Sequence, residues 1–310
     1  MDNGKYPLTT AANTSKPLRA FTLGISISAS NDLRQRGLSQ DELQTALNKI
    51  AQCCLARGAI LAYGGDLRPG GFTEFLFDLV RTHNSAEQAS SERIANYLAW
   101  PLYPFIDPQW LAANSDVARI EAISPPRDLV TSGLLREDAP VAPDTPEHGY
   151  IWARCLSAMR ERMAQDIDAR VMLGGKLLNY KGKYPGLVEE ALLMLRTDKP
   201  LFVLGGFGGA CKVMIEALQG RIPETLSTAY QRQDGRYAAM MDFYNEAAAK
   251  AEATFEPINY DLLNAELERA GLAGLNNGLS EAENRKLFET MDSEEAVNLV
   301  LDGMRRRIGG

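Results

Sequence analysis

Short apolar runs alternate with amphipathic helical patterns along this chain. Runs rich in branched apolar residues predict strands over residues 21–28, 59–63, 117–123, 169–173 and 201–204. Apolar residues at helical spacing predict helices over residues 39–57, 72–80, 150–166, 186–195 and 210–219. This alternation of strand and helix is typical of the α/β class, with a mainly parallel sheet and helices on both of its faces.

The first predicted helix has a clear start signal. Ser39 can cap it, and Glu42 stands at the position that completes a capping box. The segment 84–150 is harder to assign, and we interpret it as an irregular insertion that forms a lid or a partner surface. Within it, residues 91–100 are predicted to be helical.

The two ends of the chain differ in composition from its middle. Residues 1–19 are polar and are expected to be loosely ordered, whereas residues 20–222 carry the α/β pattern. Residues 223–310 are interpreted as a helical extension, whose last part has an acidic start and a basic end that suit a helix dipole. Three roles stay open for it: packing on the sheet, capping a pocket, or forming a homo-oligomer.

Composition excludes several classes of function. The chain has 310 residues, 45% of them hydrophobic, and a formal net charge of −7, which argues against a broad nucleic-acid-binding surface but is compatible with a small anionic ligand. Four Cys without zinc-type spacing and two His argue against a metal site. There is no apolar run of about 20 residues, so we expect no membrane span and a cytoplasmic protein with reduced thiols.

Three predicted strands run into loops with a double glycine, at residues 64–71, 174–176 and 205–209. In an open α/β sheet, ligands bind outside the carboxyl ends of the strands, and glycine lets the backbone approach them closely. We therefore expect the three loops to form three walls of one pocket. Ser28, at the end of the first strand, is expected at the same rim.

The first of these loops joins a strand to a helix, so its backbone N–H groups can hold an anion at the helix N-terminus. Arg68 would donate to a phosphate, and Asp66 would accept from ribose hydroxyls. The alternative is a tight turn in which these two residues pair only with each other. The ligand-binding candidates here are Gly64, Gly65, Asp66, Arg68, Gly70, Gly71 and Thr73.

The second segment carries most of the ionisable groups. Its candidates are Gly174, Gly175, Lys176, Gly186, Glu189 and Glu190. Lys176 supplies positive charge, or is a solvated surface lysine. Glu189 and Glu190 fall in the first turn of a helix, where they stabilise its dipole or, alternatively, act as a hydroxyl acceptor or general base.

The third loop consists of Gly205, Gly206, Phe207, Gly208 and Gly209. Its small residues would let a ligand lie directly on the next helix N-terminus, and Phe207 would stack on a base or pack in the core. The loop is neither a Walker A motif nor the three-glycine dinucleotide fingerprint, because it lacks the closing Gly-Lys-Ser/Thr and has a different spacing.

The order of these motifs, GG-K, then PG-x-x-EE-A, then GGFGG, resembles the SLOG superfamily. That superfamily groups the Smf DNA-processing proteins with the LOG phosphoribohydrolases. The resemblance covers about residues 20–222, is strongest over 169–218, and points to the prokaryotic SLOG clusters of nucleotide-signalling and anti-phage systems, including those associated with Sir2 and TIR domains. It implies a Rossmann-like, doubly wound fold that binds nucleotide-derived ligands at the strand ends.

LOG enzymes cleave the N-glycosidic bond of nucleoside monophosphates with a motif of the type PGGxGTxxE. Residues 205–209 match its glycines, but residues 210–212 replace its acidic part. Residues 185–190 match the acidic part, with Leu187 where Thr is expected. This split favours a protein that keeps the pocket without the hydrolytic chemistry.

The leading hypothesis is a sensor of a nucleotide-derived signal of the ADP-ribose type, which requires no cofactor. Its helical extension would transmit the bound state to a homo-oligomer or an effector protein. The alternative is a nucleotide N-glycosidase with Asp66, Glu189 and Glu190 as catalytic candidates. A third hypothesis, a DNA-handling protein, is disfavoured by the acidic net charge.

Overall fold

A computed structural model describes residues 16–65, 67, 70–86, 92–135, 141–250 and 255–308. The strands in these ranges are β1 (Thr22–Ser28), β2 (Ile60–Gly64), β3 (Ile94–Ala99), β4 (Ala118–Ile123), β5 (Ala169–Gly174) and β6 (Leu201–Leu204). They form one sheet in the order β4-β3-β2-β1-β5-β6, and every neighbouring pair is parallel. The predicted α/β class with a doubly wound parallel sheet is confirmed.

Helices cover both faces of this sheet. In the described ranges they are α1 (Gln40–Ala56), α2 (Phe72–Ala86), α3 (Pro108–Asn114), α4 (Arg127–Thr131), α5 (Pro146–Asp166), α6 (Gly186–Arg196), α7 (Gly209–Leu218), α8 (Thr228–Gln231), α9 (Gly235–Lys250), α10 (Tyr260–Ala270), α11 (Glu281–Glu289) and α12 (Ser293–Ile308). One hydrophobic core lies under α1, α2 and α12, and a second lies under α5, α6 and α7. The capping box predicted at Ser39 and Glu42 is present at the start of α1.

The alternation of side chains along β1 determines which of its residues pack in each hydrophobic core. Leu23, Ile25 and Ile27 point into the core under α1, because side chains of a strand alternate between the two faces of the sheet. Ser26 points to the opposite face, where its hydroxyl contacts Glu190 of α6. The apolar residues of β1 thus anchor the sheet, and its serines face the helices that follow β5.

The segment 84–150 differs from its prediction. Residues Ile94–Ala99 form β3 rather than a helix, and every residue of this strand is buried. A strand of a parallel sheet that is covered on both faces lacks polar alternation, so its pattern does not separate it from a helix. Because the segment contributes both β3 and β4 to the sheet, its description as an irregular insertion is wrong, while the strand predicted over 117–123 is confirmed as β4.

The C-terminal helices pack against the α/β core on both faces. Helix α12 packs on α1 and α11 lies against the end of β6, while α9 packs on α5 and α10 contacts α6 and α7. Of the roles left open for this extension, packing on the layers of the sheet is therefore observed. None of the described helices is long and apolar enough to cross a membrane.

Candidate functional site

The order of the strands reverses between β1 and β5. From β1 the chain proceeds outward through β2 and β3 to β4, and β5 then pairs with the other side of β1. Ligands of open α/β sheets bind in the crevice at such a point, outside the carboxyl ends of the strands. A cavity of about 460 Å³ lies here, and we call it the switch-point cavity.

Several residues predicted from the sequence line this cavity together. They come from the end of β1, the loop after β2, the segment after β5 and the start of α6: Ser28, Gly64, Gly65, Gly70, Gly71, Lys176, Gly186 and Glu190. The segments are linked directly, since the Lys176 backbone N–H donates to Ser28 Oγ at 3.2 Å. Asp66 and Arg68 lie outside the described residues.

Three helices begin at the switch-point cavity. Gln40, Phe72 and Gly186, the first residues of α1, α2 and α6, all line it. The N-terminus of a helix carries a partial positive charge and free N–H groups, which suit an anion. Lys176 is exposed, and its ammonium makes no ion pair with any residue in the described ranges. Two N–H groups at these helix starts are already used, because Gly70 donates to the Glu74 carboxylate at 2.6 Å and Glu42 donates to Ser39 Oγ at 3.4 Å.

A buried charge network forms one side of the cavity. Glu190 Oε2 accepts hydrogen bonds from Ser26 Oγ and from Nη1 of Arg170, the latter at 2.6 Å. Arg170 projects from β5 and is fully buried, and this burial lowers the pKa of its guanidinium even though Glu190 opposes the shift. Its Nε and Nη2 have no hydrogen-bond partner in the described structure. The charge of Glu190 is thus balanced from within the protein.

Arg160 of α5 is a cavity residue that the sequence analysis missed. It is buried, its Nη1 donates to Glu189 Oε2 at 2.5 Å, and its Nε lies 3.5 Å from Glu190 Oε1. A signal was available, because Arg160 follows Ala153 and Ser157 at helical spacing on the buried face of α5. Five further polar and aromatic residues line the cavity and were not predicted from the sequence: Ser26, Gln40, Tyr63, Phe72 and Tyr180.

Glu189 faces away from the switch-point cavity. Its carboxylate accepts from Ser157 Oγ and from Arg160, and it lines a different cavity to which both α5 and α6 contribute. The reason is helical geometry, since successive residues of a helix point about 100° apart. Thr73 is likewise buried within α2 and does not belong to the cavity lining.

Gly174 and Gly175 allow neighbouring chain segments to approach each other closely. Both have positive φ, of 66° and 105°, and a Cβ on Gly174 would lie 2.5 Å from the Ser28 carbonyl oxygen. The Gly175 N–H donates to that same oxygen at 2.8 Å, and the Gly175 carbonyl accepts from the Ala210 N–H at 3.0 Å. These glycines let β5 end between β1 and α7, and they do not line the switch-point cavity.

The third glycine loop also lies outside the lining of the cavity, in contrast to the three-wall expectation. Phe207 is only 1% exposed and packs in the hydrophobic core. A Cβ on Gly205 or Gly206 would collide with the backbone of residues 288–290, and one on Gly208 would collide with Asp32. The N–H of Gly209 donates to the Asp32 carboxylate at 3.0 Å. Protein groups therefore occupy the space that the glycines leave.

A family model described as SLOG cluster2 matches residues 17–287. The chain belongs to the SLOG family. The matched range extends past residue 222 through α8, α9 and α10 into α11, so the family pattern includes most of the C-terminal helices. No curated protein matches the chain. Membership of the SLOG family indicates a nucleotide-related function.

Proposed function

We propose that this SLOG-family chain binds a nucleotide-derived ligand of the ADP-ribose type in the switch-point cavity and acts as a sensor of that ligand. The observation that carries the proposal is the state of Glu190. Its Oε2 is held by Ser26 and Arg170, while its Oε1, among the described residues, has the longer Arg160 contact at 3.5 Å. A carboxylate held by these donors is better suited to accept hydrogen bonds from ribose hydroxyls than to remove a proton.

The rest of the cavity suits the other parts of such a ligand. The starts of α2 and α6, together with Lys176, provide N–H groups and positive charge for phosphates. The rings of Tyr63 and Phe72 offer faces on which a base can stack. A volume of about 460 Å³ falls within the range of small-molecule sites.

A hydrogen-bonded path supports transmission to the C-terminal helices. Tyr180 lines the cavity, and its hydroxyl donates to Gln231 Oε1 at 2.7 Å and contacts the Tyr260 hydroxyl at 2.7 Å. The Tyr237 hydroxyl donates to the Lys183 carbonyl at 2.6 Å. A ligand that moves Tyr180 would therefore move groups on α8 and α10. We propose that a second copy of the chain or an effector protein binds to these helices.

Calorimetric titration of the full chain with cyclic and linear ADP-ribose and with nucleoside monophosphates tests the proposal. We expect saturable binding of at least one ADP-ribose species at one site per chain. Absence of heat from all of these ligands would rule out the proposal.

Hydrolysis is the second candidate function, because Glu190 is a predicted catalytic carboxylate that does line the cavity. Chromatography of the same mixtures separates the two functions. A sensor returns the ligand intact. Free base that accumulates with wild type and not with Glu190→Gln would show an N-glycosidase instead.

A further inference from the structure

A second cavity of about 460 Å³ lies behind the wall that Arg160 and Glu189 form, and we call it the rear cavity. It is lined by α5 and α6, by residues just before α6, by Tyr244 of α9, and by described residues between α9 and α10. The lining residues that matter below are Arg154, Glu161, Lys183, Tyr184, Tyr244 and Phe255. The function proposed above makes no use of this cavity.

Lys183 places an ammonium group beside the rear cavity. The residue is only 9% exposed, and its Nζ donates no hydrogen bond within the part of the chain that the structure describes. Its ion pair there is long, at 3.8 Å to Glu256 Oε2. Burial lowers the pKa of Lys183. Because this ion pair is too long for a hydrogen bond, a ligand that brings an acceptor to Nζ adds a hydrogen bond from a charged donor.

The charges around Lys183 define the charge of that ligand. Glu189 lines the cavity, and burial together with the charge of Glu189 raises the pKa of Glu161. Three acidic residues and three basic residues line the cavity, so a charged ligand of either sign meets like charges there: Glu161, Glu189, Glu256, Arg154, Lys183 and Arg196. A neutral ligand avoids both penalties.

The shape of the site favours a flat ligand. Nζ of Lys183 lies 5.3 Å from the ring centroid of Tyr184 and 6.0 Å from that of Tyr244. The Tyr244 and Phe255 rings meet edge to face at 5.3 Å, and the Arg154 guanidinium already stacks 3.6 Å above the Phe255 ring. Planar groups pack well on such aromatic walls.

We propose that the rear cavity is a second small-molecule site, for a neutral planar heteroaromatic base that carries neighbouring hydrogen-bond acceptor and donor groups. This is the chemistry of a purine or of a pyridine carboxamide. The acceptor group of the base accepts a hydrogen bond from the Lys183 ammonium, and its donor group donates one to the Glu189 carboxylate. The proposal does not depend on nucleotide binding in the switch-point cavity.

Two variants separate the cavities. Ala158 lines the rear cavity and Ala29 lines the switch-point cavity, so Ala158→Trp fills the first and Ala29→Trp fills the second. Adenine and nicotinamide are titrated calorimetrically into the full chain, with benzoate as a planar anion for comparison. We expect wild type and Ala29→Trp to bind at least one of the two bases, Ala158→Trp to bind neither, and benzoate not to bind.

Lys183→Met with Lys181→Met as its matched control tests the hydrogen bond itself. Lys183→Met is expected to weaken the affinity for the base by about tenfold or more. Lys181→Met is expected to leave this affinity unchanged. Circular dichroism checks that each variant folds, and if Lys183→Met does not, the two tryptophan variants decide. The proposal is overturned if neither base binds wild type, or if a base still binds a folded Ala158→Trp variant. Titrations of the same variants with ADP-ribose test nucleotide binding in the switch-point cavity separately.

Discussion

Arg170 and Glu190 form a buried ion pair, with Nη1 of the arginine 2.6 Å from Oε2 of the glutamate. Arg170 stands on β5 and Glu190 on α6, so the pair ties the sheet to the helix that begins at the switch-point cavity. Arg170 is fully buried and Glu190 is 7% exposed. Removal of either partner alone leaves a charge inside the protein without its counter-charge.

We predict that Arg170→Met lowers the free energy of unfolding by about 3–5 kcal/mol, because Glu190 then keeps a buried charge whose main partner is gone. Replacing both residues, as Arg170→Met with Glu190→Leu, should recover much of the loss. Urea unfolding measures both changes, with Arg162→Met on the exposed face of α5 as the control. A single variant as stable as the control would contradict this view of the pair.

The packing of the third glycine loop predicts the effect of Gly206→Ala. The new Cβ would lie 2.2 Å from the Thr290 carbonyl oxygen, so the segment between α11 and α12 must shift. We expect a loss of about 1–3 kcal/mol in urea unfolding, which is typical of overpacking. Ligand affinity should stay within about twofold, because the loop does not line the switch-point cavity. A variant that keeps its stability but loses nucleotide binding would place the ligand at this loop instead.

Buried thiols predict a loss of stability at alkaline pH. Burial raises the pKa of Cys54 and of Cys155 from about 9 to about 12. Above pH 9 the unfolded chain releases thiol protons that the native chain keeps, so the free energy of unfolding falls as the pH rises towards 12. Below pH 9 this contribution is fully present.

Urea unfolding at several pH values between about 8 and 11 measures the slope. Cys155→Ala removes one of these buried thiols and should flatten the curve relative to wild type, although its absolute stability falls as well. A free energy of unfolding that stays constant over this range would contradict the predicted protonation of the two thiols.

Much of the fold was predictable because local signals and tertiary packing agree. Residues Leu201–Leu204 form the strand that the apolar run predicts, with the same bounds. The start of α1 follows from Ser39 and Glu42, whose side chains form the predicted capping box. Strand β3 was missed because burial on both faces removes the alternation that identifies a strand.

The candidate site was predictable in part, for a different reason. A double glycine shows that something approaches the backbone closely, but not what does so. For Gly205 and Gly206 that partner is the backbone of residues 288–290, which lies more than eighty positions along the chain. The contribution of Arg160 depends on how α5 packs against α6, and sequence spacing alone does not fix this packing.

The proposed function rests on binding of the nucleotide-derived ligand in the switch-point cavity. Calorimetric titration of ADP-ribose species into wild type, Ala29→Trp and Ala158→Trp tests it most directly, with circular dichroism to show that each variant folds. We expect saturable binding to wild type and to Ala158→Trp, and none to Ala29→Trp, whose indole would fill the switch-point cavity. Binding to a folded Ala29→Trp variant with wild-type affinity would contradict the claim.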